Sequence, residues 1–124
     1  METTQAQVID LAALAASAAT GAQVGAVWSL VSHDLNLNLL RFATGDGVEP
    51  HTNTEVDIIG LVISGKGILD LDGRQEHLQP GSIFFVPKGA RRSIQSHSND
   101  FAYLSCHRRR AGLMPTRAPA RSQT

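Results

Sequence analysis

After Gly25 the chain becomes a succession of short apolar runs cut by glycine, proline and Asp-Gly turns, and that rhythm leaves few folds open. Residues 26–32 read as a strand. Residues 35–39 alternate Leu and Asn with the period of two expected of a half-buried strand. Residues 56–64 form a nearly continuous apolar run with Gly60 inside it, which suits a buried strand with a close backbone approach or a bulge. Residues 68–71 and 74–78 flank Asp72-Gly73, a strong hairpin signal. Residues 82–86, 92–96 and 101–107 complete the set. Eight or nine short strands at intervals of about 8–12 residues predict an all-β sandwich or barrel.

Ahead of the strands, residues 4–20 read as a helix. Thr4 with Gln7 three positions on has the capping-box pattern, and Gly21 is placed to end the helix. Val8, Leu11, Leu14 and Ala15 fall on one stripe at helical spacing, which suits packing on the body or on a partner subunit. The expected organisation is a helix and linker over residues 1–23, a barrel over 24–110 and a flexible tail over 111–124, where prolines and few apolar residues leave little to pack.

At 124 residues there is room for one domain with a real core. No apolar run reaches the ~18 residues of a membrane-spanning helix, so no membrane partner is expected. The Ala-rich stretch 11–19 has acidic flanks, Glu2 and Asp10, and no preceding Lys or Arg. A secretory signal needs the opposite charge, and a single cysteine, Cys106, forms no internal disulfide. Both features point to the cytoplasm. The neutral net charge hides an asymmetry: residues 1–87 carry three basic against ten acidic groups, and residues 88–124 carry eight basic against Asp100 alone. Either the two halves neutralise each other within the fold, or the basic part faces an anion. Nucleic acid is not expected as a partner. The His107–Arg110 run is short, and one Trp and one Tyr give little for bases to stack on.

Two stretches carry a recognisable skeleton. In the first, Gly45 is followed after five residues by His51, with Asn53 two further on and Gly65 closing the stretch. In the second, Gly81 is followed after five residues by Pro87-Lys88-Gly89, then Arg92 and Ser96. Gly65 and Gly67 bracket a tight turn, where a positive φ costs glycine little. This arrangement resembles the two motifs of the small single-domain cupins (RmlC-like, type-2 cupins) over residues 24–107.

The resemblance implies a cupin-type double-stranded β-helix, or jelly-roll, barrel with a short N-terminal α-helix. It also implies a site at the barrel mouth, where three His and one carboxylate normally hold a divalent metal. Here the ligand set is altered. His51 is kept, Asn53 stands in the second His position, Arg92 in the third, and Ser96 in the place of the second motif's Asn. The carboxylate position is ambiguous. Three-residue spacing selects Asp57 and leaves one residue too many before Gly65; four-residue spacing keeps the register and selects Ile58.

The candidate ligand-binding residues are therefore His51, Asn53, Asp57, Arg92 and Ser96. His51, Asn53 and Asp57 would be ligands if a metal such as zinc, nickel, manganese or iron were bound weakly. Asn53 is a poor ligand for such ions, and a guanidinium stays protonated and repels a cation. Arg92 therefore turns the position toward anions, and no tightly held cofactor is expected. Glu55 extends the pattern His51, Asn53, Glu55, Asp57 at alternate positions, which one strand would place on one face; it suits a turn in water equally well. Alternation from Arg92 puts His97 outside, and His107 lies at the edge of a basic run, a poor place for a cation. No catalytic residue is assigned.

Three functions remain open from the sequence. One is binding of a small polar or anionic ligand without tight metal. A second is a metal-dependent enzyme, by resemblance an isomerase or dioxygenase, with an atypical ligand set. The third is a structural or partner-binding barrel. A homodimer is expected, because the N-terminal helix and the edge strands supply the means.

Overall fold

Period-two alternation and left-handed turns account for most of the architecture. The computed structural model describes residues 2–20 and 24–110, and over them the chain forms one helix and nine strands. These are α1 (Leu11–Thr20), β1 (Gly25–Val31), β2 (Leu35–Phe42), β3 (Gly47–Thr52), β4 (Ile58–Ser64), β5 (Gly67–Leu71), β6 (Arg74–Leu78), β7 (Ile83–Val86), β8 (Arg91–Ser96) and β9 (Phe101–Arg108). One antiparallel sheet has the order β1-β2-β9-β4-β7 and the other β3-β8-β5-β6. Only β1–β2 and β5–β6 are consecutive strands that pair; elsewhere the chain passes back and forth between the sheets, which makes a jelly roll.

The β5–β6 hairpin forms as the Asp72-Gly73 signal predicts. Both residues have positive φ, 50° and 89°, and Leu71 pairs with Arg74 across the turn. The Gly73 N–H also donates to the Asp70 carboxylate at 2.8 Å. Gly65, at φ 74°, is held by more than its dihedral. A Cβ there would lie 2.5 Å from the Phe101 Cα and from the Ser98 hydroxyl. Gly67 differs from expectation, since its φ is not positive; it is glycine because the Phe101 ring would meet a Cβ at 2.8 Å. Gly60 is a close-approach site, with the Phe84 ring resting on its Cα; a Cβ would lie 2.0 Å from the ring.

Two elements depart from the sequence reading. Residues 4–10 are not helical. The helix starts at Leu11, where the Asp10 carboxylate accepts the Ala13 N–H at 3.1 Å, an N-cap placed directly before the strongest helix-forming run. Thr3, not Thr4, meets Gln7, by a side-chain hydrogen bond of 3.2 Å, and Val8 is fully exposed rather than on a packed stripe. The helix-ending role of Gly21 and the tail 111–124 lie outside the described residues. Strand β3 was not among the runs read from sequence, because Glu49 and Pro50 interrupt its alternation. It is held as an edge strand by β8, with Val48 opposite Ile94 and His51 opposite Arg92. The register shifts between those two pairs, where Pro50 has no N–H to donate.

The interior has two halves. Leu40, Phe42, Val48, Val62, Leu69, Leu78, Phe84, Ile94, Phe101 and Tyr103 form an apolar plug. Tyr103 is its hub, with ring centroids 5.4 Å from Phe84, 5.6 Å from Phe101 and 6.3 Å from Phe42. Toward the other end the inward positions become polar. Tyr103 pairs with Leu40, but the next inward pair is Ser105 with Asn38 and the one after it His107 with Asn36. Alternation therefore sends the Leu side chains of 35–39 to the outer face, where α1 packs on β2 and Leu39 is fully buried.

Candidate functional site

The polar half of the barrel is built from β8 and β9 facing each other. On β8 the inward residues are Arg92, Ile94 and Ser96, all buried. On β9 they are Phe101, Tyr103, Ser105 and His107, again all buried. Arg92 is only 2% exposed, between its cross-strand neighbours His51 on β3 and Leu71 on β5. Burial pushes its guanidinium pKa down from the ordinary arginine value to about 10, partly offset by Tyr103 and reinforced by Arg110. Its Nη2 is buried and makes no hydrogen bond among the described residues.

His107 is 4% exposed and belongs to the same region, since both Arg92 and Arg110 act on it electrostatically. Burial is the largest cause of a pKa lowered from the usual 6.5; a hydrogen bond to the Arg108 carbonyl opposes it, and the two guanidiniums add to it. The hydroxyl of Ser105, one inward position earlier, is fully buried and has no hydrogen-bond partner among the described residues. Arg110 is partly buried and approaches the Glu55 carboxylate at 3.7 Å. Burial likewise lowers its pKa, against the attraction of Glu55.

The five residues singled out in the sequence do not all meet. His51 and Arg92 are brought together as a cross-strand pair. His51 has its Nδ1 on the Glu49 carbonyl at 2.9 Å and its Nε2 buried. Asn53 follows the end of β3. Its Oδ1 accepts the N–H groups of Glu55 and Val56 at 2.9 and 3.4 Å, so the amide NH2 is the end left over, buried and without a partner among the described residues. Asp57 is exposed and its carboxylate accepts the Lys88 N–H at 2.8 Å, which ties two loops together. Ser96 is four residues from Arg92, about 13 Å along the strand, beyond Ile94. Its hydroxyl donates to the Ser98 carbonyl at 2.6 Å in the turn before β9. Glu55 is exposed as well, so alternation on one strand fails beyond Thr52: residues 53–57 are a loop. His97 is exposed, on the outside.

His107, Ser105 and Arg110 complete the site, and the sequence reading assigned them no ligand-binding role. The available signal was alternation counted from Phe101, which puts 103, 105 and 107 inside; the adjacent basic run made His107 look peripheral.

The residues present do not fit the divalent metal of the resembled ligand set. Ile58, not Asp57, is the inward residue at the carboxylate position, 2% exposed and paired with Val86. Asn53 offers an NH2 rather than an oxygen, and Arg92 adds a buried cation. The guanidinium, hydroxyl and amide N–H groups are all hydrogen-bond donors.

A cleft of about 340 Å3 opens between the edge strands β6 and β7, with Leu69, Leu71, Leu78 and Phe84 among its lining. The Arg74–Glu76 ion pair, 2.9 Å and exposed, stands beside it. Leu71 is the cross-strand neighbour of Arg92, so the cleft and the guanidinium are separated by one strand pair.

Comparison with known proteins agrees with this architecture. A structure of KdgF from Halomonas sp. superposes with a TM-score of 0.64 at 24% identity, covering 70% of this chain and 81% of that one. BH2720 from Bacillus halodurans gives 0.71 at 14% identity, covering 84% and 81%. Salicylate 1,2-dioxygenase from Pseudoaminobacter salicylatoxidans, in adducts with gentisate, gives 0.57 at 21% identity, covering 62% of this chain and 20% of that one. An uncharacterised Aquifex aeolicus protein is 44% identical over 41 residues, a match spanning about a third of either chain. The structural neighbours thus include a salicylate 1,2-dioxygenase and, at a TM-score of 0.53, a predicted oxalate decarboxylase from Thermotoga maritima, and no helix among the described residues is long and apolar enough to cross a membrane. The family model for the cupin domain matches residues 38–106, more than half of the chain, and the protein belongs to the cupin family.

Proposed function

We propose that this cupin binds a small carboxylate-type anion in the polar half of its barrel, without a tightly held metal. One observation carries the reading: Arg92, 2% exposed, keeps a buried Nη2 with no acceptor among the described residues. A buried guanidinium N–H lacking an acceptor is costly, and an oxyanion supplies both acceptor and counter-charge. His51 pairs with Arg92 across β3 and β8, and Ser105 and His107 lie on the inward face of β9. Asp57 and Ser96 contribute to folding of the loops and not to ligand contact. We place the protein in the cytoplasm as a homodimer, formed through the outer face of β4 and β7, where Ile59, Ile83 and Phe85 stand exposed.

A metal-dependent reading has one observation in its favour. The Nδ1 atoms of His51 and His107 both meet backbone carbonyls, an arrangement that orients Nε2 for ligation. Arg92 in the same region and Ile58 at the carboxylate position weigh against it. Thermal unfolding with malonate, inorganic phosphate and sugar phosphates tests the two readings. A carboxylate should raise the melting temperature of the wild type and leave Arg92→Met unmoved. Stoichiometric metal in untagged protein, lost in His51→Ala, would overturn the anion reading.

A further inference from the structure

The polar end of the barrel contains a group whose protonation has to change when an anion enters. His107 Nδ1 lies 2.8 Å from the Arg108 carbonyl oxygen. A carbonyl only accepts, so Nδ1 carries the proton, and in the neutral ring Nε2 presents a lone pair. Nε2 is buried and has no hydrogen-bond partner among the described residues, and Arg92 Nη2 is in the same condition. The obvious internal solution, donation from Arg92 Nη2 to His107 Nε2, is therefore not made.

The surroundings explain which form the empty site prefers. From β8 His107 faces Arg92, and from the segment after β9 it faces Arg110; both are cations. His51 on β3 stands opposite Arg92, and Tyr103 and Ser105 lie on the same face of β9. The inward neighbours on β2 and β4 are Asn36, opposite His107, and Ile58, neither of which titrates. The nearby carboxylate, Glu55, is paired with Arg110. A proton on Nε2 would add a third cation to a buried region with no acceptor, and burial already favours the neutral ring. An oxyanion bound to Arg92 inverts this balance by giving Nε2–H an acceptor and the cations a counter-charge.

Building on the anion reading, we propose that the site takes up its carboxylate ligand together with one proton, received by His107 Nε2. The ligand class that follows is a small dicarboxylate, or a carboxylate with a second acidic oxygen, since a single carboxylate is already neutralised by Arg92. Proton and ligand then strengthen each other's binding by the same factor.

Calorimetric titration of the full chain with malonate between about pH 6 and 8.5, in Bis-Tris and in Tris, tests this, because these pH values span the ordinary imidazole range. Affinity should rise about tenfold per pH unit lowered above the free ring's pKa, with close to one proton absorbed per malonate. His107→Gln should bind more weakly and without pH dependence. Since that variant could fold poorly, the His107 imidazole resonance of the wild type gives a second readout, and saturating malonate should move its titration to higher pH. Malonate binding with no proton uptake and no shift at His107 overturns the proton coupling and leaves the anion reading standing. Failure of malonate to bind at any pH in the range overturns both.

Discussion

Replacing Arg92 by Met should make the protein more stable while abolishing its response to carboxylates. The guanidinium is charged at neutral pH although burial has moved its pKa more than two units below the ordinary arginine value, to about 10. At about 1.4 kcal/mol per unit, the charged form is held about 3 kcal/mol less favourably in the folded chain than in the unfolded one. A basic group with a depressed folded pKa destabilises at every pH below that value. The penalty is therefore complete at pH 7 and lifts only as pH rises above about 10. Met keeps an unbranched apolar stem beside Leu71 and removes the charge. Met fills the site less completely than the longer arginine side chain, which offsets about 1–2 kcal/mol. A net gain of about 1–2 kcal/mol remains, or roughly 4–8 °C in melting temperature for a domain of this size. Calorimetric unfolding at pH 7 in a buffer free of carboxylate and phosphate measures it. A melting temperature below that of the wild type would mean that the guanidinium is satisfied internally and stabilises the fold, and the argument for an anion site would fail.

Other regions of the molecule give further expectations. Because the folded pKa of His107 lies below the unfolded 6.5, the free protein should lose stability as pH falls through 6.5 and level off below the folded value; urea midpoints across this range should show a shallower acid slope in His107→Gln. Gly60→Ala places a methyl 2.0 Å from the Phe84 ring and should cost about 1–3 kcal/mol in urea unfolding, partly restored by Phe84→Leu; a change under ~0.5 kcal/mol would show that the ring moves aside freely. Asp57→Ala removes the acceptor of the Lys88 N–H and should cost up to about 1 kcal/mol, with malonate affinity unchanged within about twofold. A tenfold loss would put Asp57 back among the ligand contacts. Ile83→Glu, at a position 72% exposed on edge strand β7, should shift the protein to monomer in light scattering; a dimer that persists would place the interface elsewhere.

Most of the barrel could be read from the residue order because its determinants are local. A run such as Ile58–Ser64 announces a strand, and Asp72-Gly73 announces a hairpin, through preferences that act within a few residues. Where the reading failed, a distant partner decided. Strand β3 exists because β8 pairs with it, and Thr4 lost its capping role because Asp10 stood directly before the alanine run. The carboxylate register shows the same limit. Spacing allowed either Asp57 or Ile58, and the pairing of β4 with β7 turns Ile58 inward against Val86 while Asp57 reaches across to Lys88.

The candidate site divides along the same line. The skeleton around His51 and Arg92, and the reversal of charge at Arg92, follow from residue types at fixed spacings, so they were available from the chain alone. That His107 and Ser105 share the buried polar end of the barrel with Arg92 was not. Strand alternation says which side chains share a face, but the occupants of an interior are set by which faces are brought together. That depends on long-range pairing of β8 and β9 into opposite sheets, and only the folded chain supplies it.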